Sequence, residues 1–427
     1  MKNRRKKLFA VILALCLIFP VNVVQAALHT PGEARMAEED ILQWKKDEQG
    51  TEQLLEGALL DQAEGSESCW FAFGVSRMGK SDNQKQYLAR LMQVTEGYYE
   101  DLEENIKTQN PTDWYRMILT IRACGGDPEN FGKTPEGEPI NLVQDGIGAC
   151  IFQDPGRQGI NGYIWALLAL DSGDYTLADD AEWTEEKLVD AILEQELPNG
   201  GFGLTEEANV DITAMAVTAL APYCQENPQA SEAVQRSLSL LSGWQESDGT
   251  MALYGERTAE STAWTLNALT ACGLDPVTEE AFIKEGHTLL DGLELFRLAD
   301  GSFIHSLDGE EAETEGNGMA GYQALYALEG YVRMKNGANP LFDLRDAPEF
   351  SEEEIESGKS SLSKPENSAE EKDRETVQKD TENRGRILQI AAGAAAVVLI
   401  GVLAAAAVKA GKKKKKADQA PEEDDTW

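Results

Sequence analysis

Histidine is almost missing from this chain: His29, His287 and His305 are the only three in 427 residues. His29 falls in an N-terminal arm and His287 in an amphipathic segment, so no pair stands at metal-ligand spacing and no metal site is expected. Cysteine is scarce too. Beyond Cys16 there are Cys69, Cys124, Cys150, Cys224 and Cys272, an odd set without a CxxC pair. That excludes a disulfide framework and leaves small buried residues on apolar helix faces. Strand patterning is nearly absent. Positive charge is also in deficit, with 38 Lys and Arg against 75 Asp and Glu and a net charge of −37. Residues 1–26 carry +5 and residues 409–427 carry +1, leaving −43 between them. Such a surface repels nucleic acid and anionic polymers and suits neutral or cationic ligands, although solubility alone also accounts for it. The acidic loop beginning at Asp308-Gly309 lacks EF-hand spacing and reads as a solvated loop.

Long apolar runs occur only at the two ends. Met1-Lys2-Asn3-Arg4-Arg5-Lys6-Lys7 precedes an apolar stretch from Leu8 to Val24, and Val24 and Ala26 form a small-residue cleavage pair. This reads as a signal peptide over 1–26. Leu15 before Cys16 does not fit a lipid-attachment signal. Residues 387–408 hold no charge, and their 22 residues would span ~33 Å as a helix, enough for a bilayer core. Lys409 and the run Lys412 to Lys416 mark the inner side. The expected topology is a single transmembrane helix at 387–408, a cytoplasmic tail at 409–427, and residues 27 to 386 outside. Residues 350–383 are polar and read as a disordered stalk. No LPxTG-like sorting sequence precedes the span, so the span is expected to remain as the membrane anchor.

The body of the chain repeats. Ala-rich apolar segments begin at Glu67, Asp113, Asn161, Asp211, Glu260 and Asn317, and most end near glycine. Their equivalent apolar positions are Phe73, Leu119, Leu167, Val217, Leu266 and Leu325, with a period near fifty residues. Amphipathic segments lie between them, near 40–60, 84–108, 139–151, 184–196, 230–244 and 279–297. Asn199-Gly200, Asp248-Gly249 and Asp300-Gly301 supply equivalent tight turns. Paired helices at this period predict an all-α array over 38–345, with six inner and six outer helices. Closure into a ring would bury the apolar faces without capping repeats.

The turn sequences Gln195-Glu196-Leu197-Pro198-Asn199-Gly200-Gly201-Phe202, Gln245-Glu246-Ser247-Asp248-Gly249 and Asp300-Gly301-Ser302-Phe303 resemble the repeats of the (α/α)6 toroids of terpenoid cyclases and protein prenyltransferases. Val210 to Ala216 resembles their inner-helix start. The ring is also similar to the cobalamin-binding toroid of intrinsic factor and transcobalamin, and to non-catalytic toroids of bacterial surface proteins. The resemblance implies the fold over about 38–345. It carries less chemistry. In Asn209-Val210-Asp211-Ile212-Thr213-Ala214 the middle acid of a cyclase motif is kept, but its two acidic neighbours are replaced. The zinc ligands and diphosphate-binding bases of the transferases have no match, and the complement-type thioester sequence is missing.

Aromatic residues gather near the inner-helix starts: Trp70, Trp114, Tyr163, Trp165, Trp264 and Tyr322, with Asp211 among them. These either line a ligand-binding mouth or pack between layers. Asp211 and its repeat equivalents either cap their helices or line one end of the ring. The expected function is a membrane-anchored extracellular toroid that binds a ligand without catalysis. That ligand would be a corrinoid, another amphipathic small molecule, a glycan or a protein; nucleic acid is excluded and no cofactor is required. The alternatives are a cyclase-like enzyme with Asp211 as acid, and a structural spacer.

Overall fold

The computed structural model describes residues 28–102, 104–105, 109–308 and 313–359. The segments expected to be a signal peptide (1–26), a transmembrane helix (387–408) and a tail (409–427), and the expected stalk from residue 360 on, lie outside the described residues. Among those described, no helix is long and apolar enough to cross a membrane. The described chain is mostly helical. Its α-helices in order are α1 (Pro31–Gln49), α2 (Gly57–Asp61), α3 (Ser66–Arg77), α4 (Gln84–Glu100), α5 (Pro111–Cys124), α6 (Ile160–Leu170) and α7 (Glu185–Leu193). They continue as α8 (Val210–Leu220), α9 (Pro228–Trp244), α10 (Ala259–Ala271), α11 (Leu289–Glu294), α12 (Gly318–Asn336) and α13 (Glu352–Lys359). A short hairpin pairs β1 (Met251–Leu253) with β2 (Glu256–Thr258) in antiparallel register.

The six Ala-rich segments are α3, α5, α6, α8, α10 and α12. Alanine adds helix propensity in α6, α8, α10 and α12, while α3 and α5 hold one alanine each and are buried along most of their length. Each packs on the next, α3 on α5, α5 on α6, α6 on α8, α8 on α10 and α10 on α12, and α12 packs back on α3. Five of them also pack on a further element: α12 on α1, α5 on α4, α6 on α7, α8 on α9 and α10 on α11. The helix starts correct the capping assignment. Asn209, not Asp211, caps α8, its side chain accepting the Ile212 N–H at 2.9 Å. Thr258 caps α10 and Asn317 caps α12. Glu67, Asp211 and Glu260 therefore sit inside first turns, where an acid suits the helix dipole but its oxygens remain free for other partners.

The tight turns act as expected and also seat each repeat on the next outer element. Asn199, Asp248 and Asp300 accept from the N–H two residues on, at 3.3, 3.1 and 3.1 Å. The following glycines take φ of 84°, 89° and 88°. A side chain there would strike Arg236 of α9 from Gly200, the Thr288 carbonyl before α11 from Gly249, and Asp40 of α1 from Gly301. The last turn thus rests on the first helix.

The outer layer departs from the sequence reading. The first outer helix covers 31–49 rather than 40–60, because Thr30 and Glu33 form a capping box ahead of it and Gly50 ends it in the left-handed conformation. Residues 139–151 contain only one π-helical turn, Gln144–Gly148; Gly146 and Gly148 weaken any longer helix. Residues 279–297 break at Glu285-Gly286, both at positive φ, leaving the 3-10 turn Glu280–Phe282 and the short α11. The segment assigned to the stalk begins instead as α13. Ser351 and Glu354 cap one another, Ile355 is buried, and the helix packs on α4.

Between α12 and α13 the chain runs along the C-terminal ends of the inner helices. Arg77 holds Asp346 at 2.7 Å and the Asp343 carbonyl at 3.0 Å, and Arg122 donates to the Pro348 carbonyl at 3.0 Å. Leu344 N–H donates to the Ser172 carbonyl and Phe350 N–H to that of Gly125. Beneath α1 lies a buried acid pair: Arg35 contacts Glu38 at 2.9 Å and Glu329 of α12 at 2.8 Å. Burial, then the neighbouring Glu329 charge, pushes the Glu38 carboxyl up to about 9.

Candidate functional site

Rings from four inner helices meet in the middle of the helix set. Trp70 (α3) and Trp165 (α6) lie 5.1 Å apart, Trp165 and Trp264 (α10) 5.7 Å, and Trp264 and Tyr326 (α12) 5.7 Å. Tyr326 closes the circuit to Trp70 at 5.7 Å. Tyr322 stacks behind Trp70, and Phe342, from the segment after α12, lies parallel to Trp264 at 6.3 Å. Four of the predicted aromatics, Trp70, Trp165, Trp264 and Tyr322, are thus brought together. Trp114 and Tyr163 are not. Trp114 is 1% exposed, stacks on Phe152 at 3.6 Å and donates to the Leu142 carbonyl. Tyr163 packs on Trp183 at 5.0 Å.

On the N-terminal side of this layer the rings floor a cavity of about 320 Å³, lined by Trp70, Trp165, Trp264 and Tyr326 together with Asp211, Glu260 and His305. Leu253 of the hairpin and Met319, 43% exposed, stand at its edge. Asp211 accepts a hydrogen bond from the Ser261 hydroxyl at 2.6 Å. Burial raises its pKa, opposed by that bond and by His305. Glu260 contacts His305 Nδ1 at 2.8 Å, while its other oxygen is buried without a partner. Burial raises the Glu260 carboxyl as well. Two carboxyl groups with weakened acidity therefore meet an aromatic floor and one imidazole. Such a site can hydrogen-bond a polar head group while a flat apolar body lies against the indoles.

The other acids of the repeat are spent elsewhere. Glu67 pairs with Lys45 at 2.7 Å and Asp113 with Arg116 at 2.7 Å. Reading the sequence by inner helices alone overlooked His305, which lies in a loop. Its signal was in the repeat: five residues after Asp300 places it level with Leu253, five after Asp248, and Leu253 borders the same cavity. No group of His, Cys, Asp and Glu suited to a metal ion occurs among the described residues. No family model matches the chain, and no curated protein matches it.

Proposed function

We propose that the chain is a membrane-anchored extracellular (α/α)6 toroid that binds a small, neutral, amphipathic ligand in its N-terminal cavity. The cyclic packing of the six Ala-rich helices, with the last turn resting on α1, supports the ring. The observation that carries binding is the cavity itself, which combines an indole floor with Asp211, Glu260 and His305 at one side. The raised carboxyl pKa values favour a neutral ligand with hydrogen-bonding groups over a strongly charged one.

A test uses 4-nitrobenzyl alcohol, which carries an aromatic face and one hydroxyl. It should quench the tryptophan fluorescence of the full-length chain saturably. By calorimetry Trp165→Ala should weaken binding about tenfold, the loss of about 1.4 kcal/mol of stacking, while the helical circular dichroism persists. Unsaturable quenching, or equal affinity in Trp165→Ala, would remove the support for a binding site here. For topology, protease added to intact cells should degrade residues 28–359 and spare a fragment containing 387–427. A protected N-terminal domain and a digested tail would reverse the assignment.

One observation favours a second reading. Asp211 is free of capping, weakly acidic and placed against an aromatic wall, the setting of an acid that protonates an alkene. Under the binding reading, squalene incubated with the chain remains unchanged. A cyclised product that disappears in Asp211→Asn would establish the enzyme instead.

A further inference from the structure

A second, larger cavity of about 650 Å³ lies at the other ends of the same helices. It is bounded by the last turns of α6, α8 and α10 and by the segment that follows α12. Leu168, Leu341 and Phe342 give it an apolar side. Its polar side is unusual in being unfinished. Asp171 accepts from the Tyr223 hydroxyl at 2.6 Å through one carboxylate oxygen, and the other oxygen is buried with no partner. Asn267 lines the same cavity, is 2% exposed, and has neither side-chain polar atom hydrogen-bonded. Buried polar groups are nearly always satisfied, so the free Asp171 oxygen and the unmet Asn267 amide at one cavity wall point to a missing partner that supplies donors to the two oxygens.

Three further features specify that donor as a cation. The helices α6, α8 and α10, of 11, 11 and 13 residues, all present their C-terminal ends here, the negative ends of their dipoles. Asp174, Glu185 and Asp343 stand around the rim with a single base, Arg345, which is itself committed to Asp343 at 2.6 Å and to Asp174 at 3.6 Å. The surrounding surface carries the large negative charge already described, which concentrates cations. An ammonium group supplies three N–H donors, enough for the free oxygen of Asp171 and the Asn267 carbonyl together. The apolar side then accommodates a hydrocarbon or aromatic body.

We infer that this C-terminal cavity is a binding site for a small organic amine with an apolar body, held by Asp171 and Asn267. The site is separate from the N-terminal cavity and does not depend on the function proposed for it. The groups facing Asp171 are Tyr223, Glu185, Asp343 and Arg345. Burial dominates among their effects and lifts the Asp171 carboxyl to about 7. The carboxylate that attracts an amine is accordingly formed as pH rises through that value, while an aliphatic amine stays protonated.

The probe pair is phenethylamine and 2-phenylethanol, which differ in one terminal group. Calorimetry with the full-length chain in lipid nanodiscs, against empty nanodiscs, should show the amine binding at least tenfold more tightly than the alcohol at pH 8. The amine affinity should fall at least tenfold between pH 8 and pH 5.5, and at least tenfold in Asp171→Asn at pH 8. Asparagine can still accept from Tyr223, and the pH series on the unaltered chain tests the idea without any variant. Equal binding of amine and alcohol, an affinity independent of pH, or no binding of the amine at 10 mM would each overturn the assignment.

Discussion

Phe342→Ala is expected to lower the unfolding free energy by about 3–5 kcal/mol, the usual cost of emptying a buried aromatic site. The ring stacks on Trp264 and meets Phe73 at 5.5 Å and Trp165 at 6.1 Å, so its removal strips one face from the central aromatic layer. It also separates the two cavities, since it lines the C-terminal one while its partners Trp165 and Trp264 line the N-terminal one. Urea denaturation followed by far-ultraviolet circular dichroism measures the loss. Phe342→Leu, which keeps most of the volume, should recover most of it. A loss below about 1 kcal/mol for the alanine variant would show that the aromatic layer holds without this residue.

The second large effect concerns pH. Glu38 keeps a proton in the folded chain up to about 9, because it is buried beside Glu329, whereas in the unfolded chain it ionises near 4.5. The folded state therefore binds more protons across that window, and stability must fall as pH rises, by up to about 1.4 kcal/mol per pH unit. Glu38→Gln removes this dependence while leaving Arg35 its contact with Glu329. The variant should match the unaltered chain near pH 4.5 and exceed it by a few kcal/mol near pH 9. Asp171, lifted from 3.8 to about 7, adds a slope of the same sign over a narrower pH window that remains in the variant. Parallel stability curves for the two proteins would mean that the acid pair does not share its proton. Conservative as it looks, this single amide substitution is the most direct route to an alkali-resistant form.

The helical array was legible because an apolar helical segment recurs about every fifty residues and three of the repeats write their turn with the same Asn-Gly or Asp-Gly pair. Those features are local: propensity, periodicity and turn chemistry act within a dozen residues. The outer layer was less legible, since in 139–151 and 279–297 glycines outweigh an amphipathic pattern and only packing decides how much helix survives. The site was legible in half. Trp70, Trp165 and Trp264 stand two or three residues before the equivalent apolar position of their repeats and meet one another, whereas Trp114 stands five before its own and turns to Phe152. His305 and Phe342 were missed because both arrive on connecting segments, where no helical period predicts direction. Asn209 took the capping role assigned to Asp211, a shift of two residues that frees the carboxyl for the cavity.

The seating of the last turn on the first helix has a consequence for how the molecule comes into being. The Tyr331 hydroxyl donates to the His29 carbonyl across 302 residues, and His29 reaches Asp291 at 2.8 Å across 262. Among the described helices α1 is the first to be synthesised, yet its partner α12 is the last but one. Until then, its apolar stripe of Ala34, Ala37 and Ile41 has no native surface to cover it. That stripe must therefore wait, without its native cover, until the segment beginning at Gly318 has been made. Topologies in which an early helix pairs with a late one fold slowly for this reason, and removal of either α1 or α12 leaves the other unpaired as well.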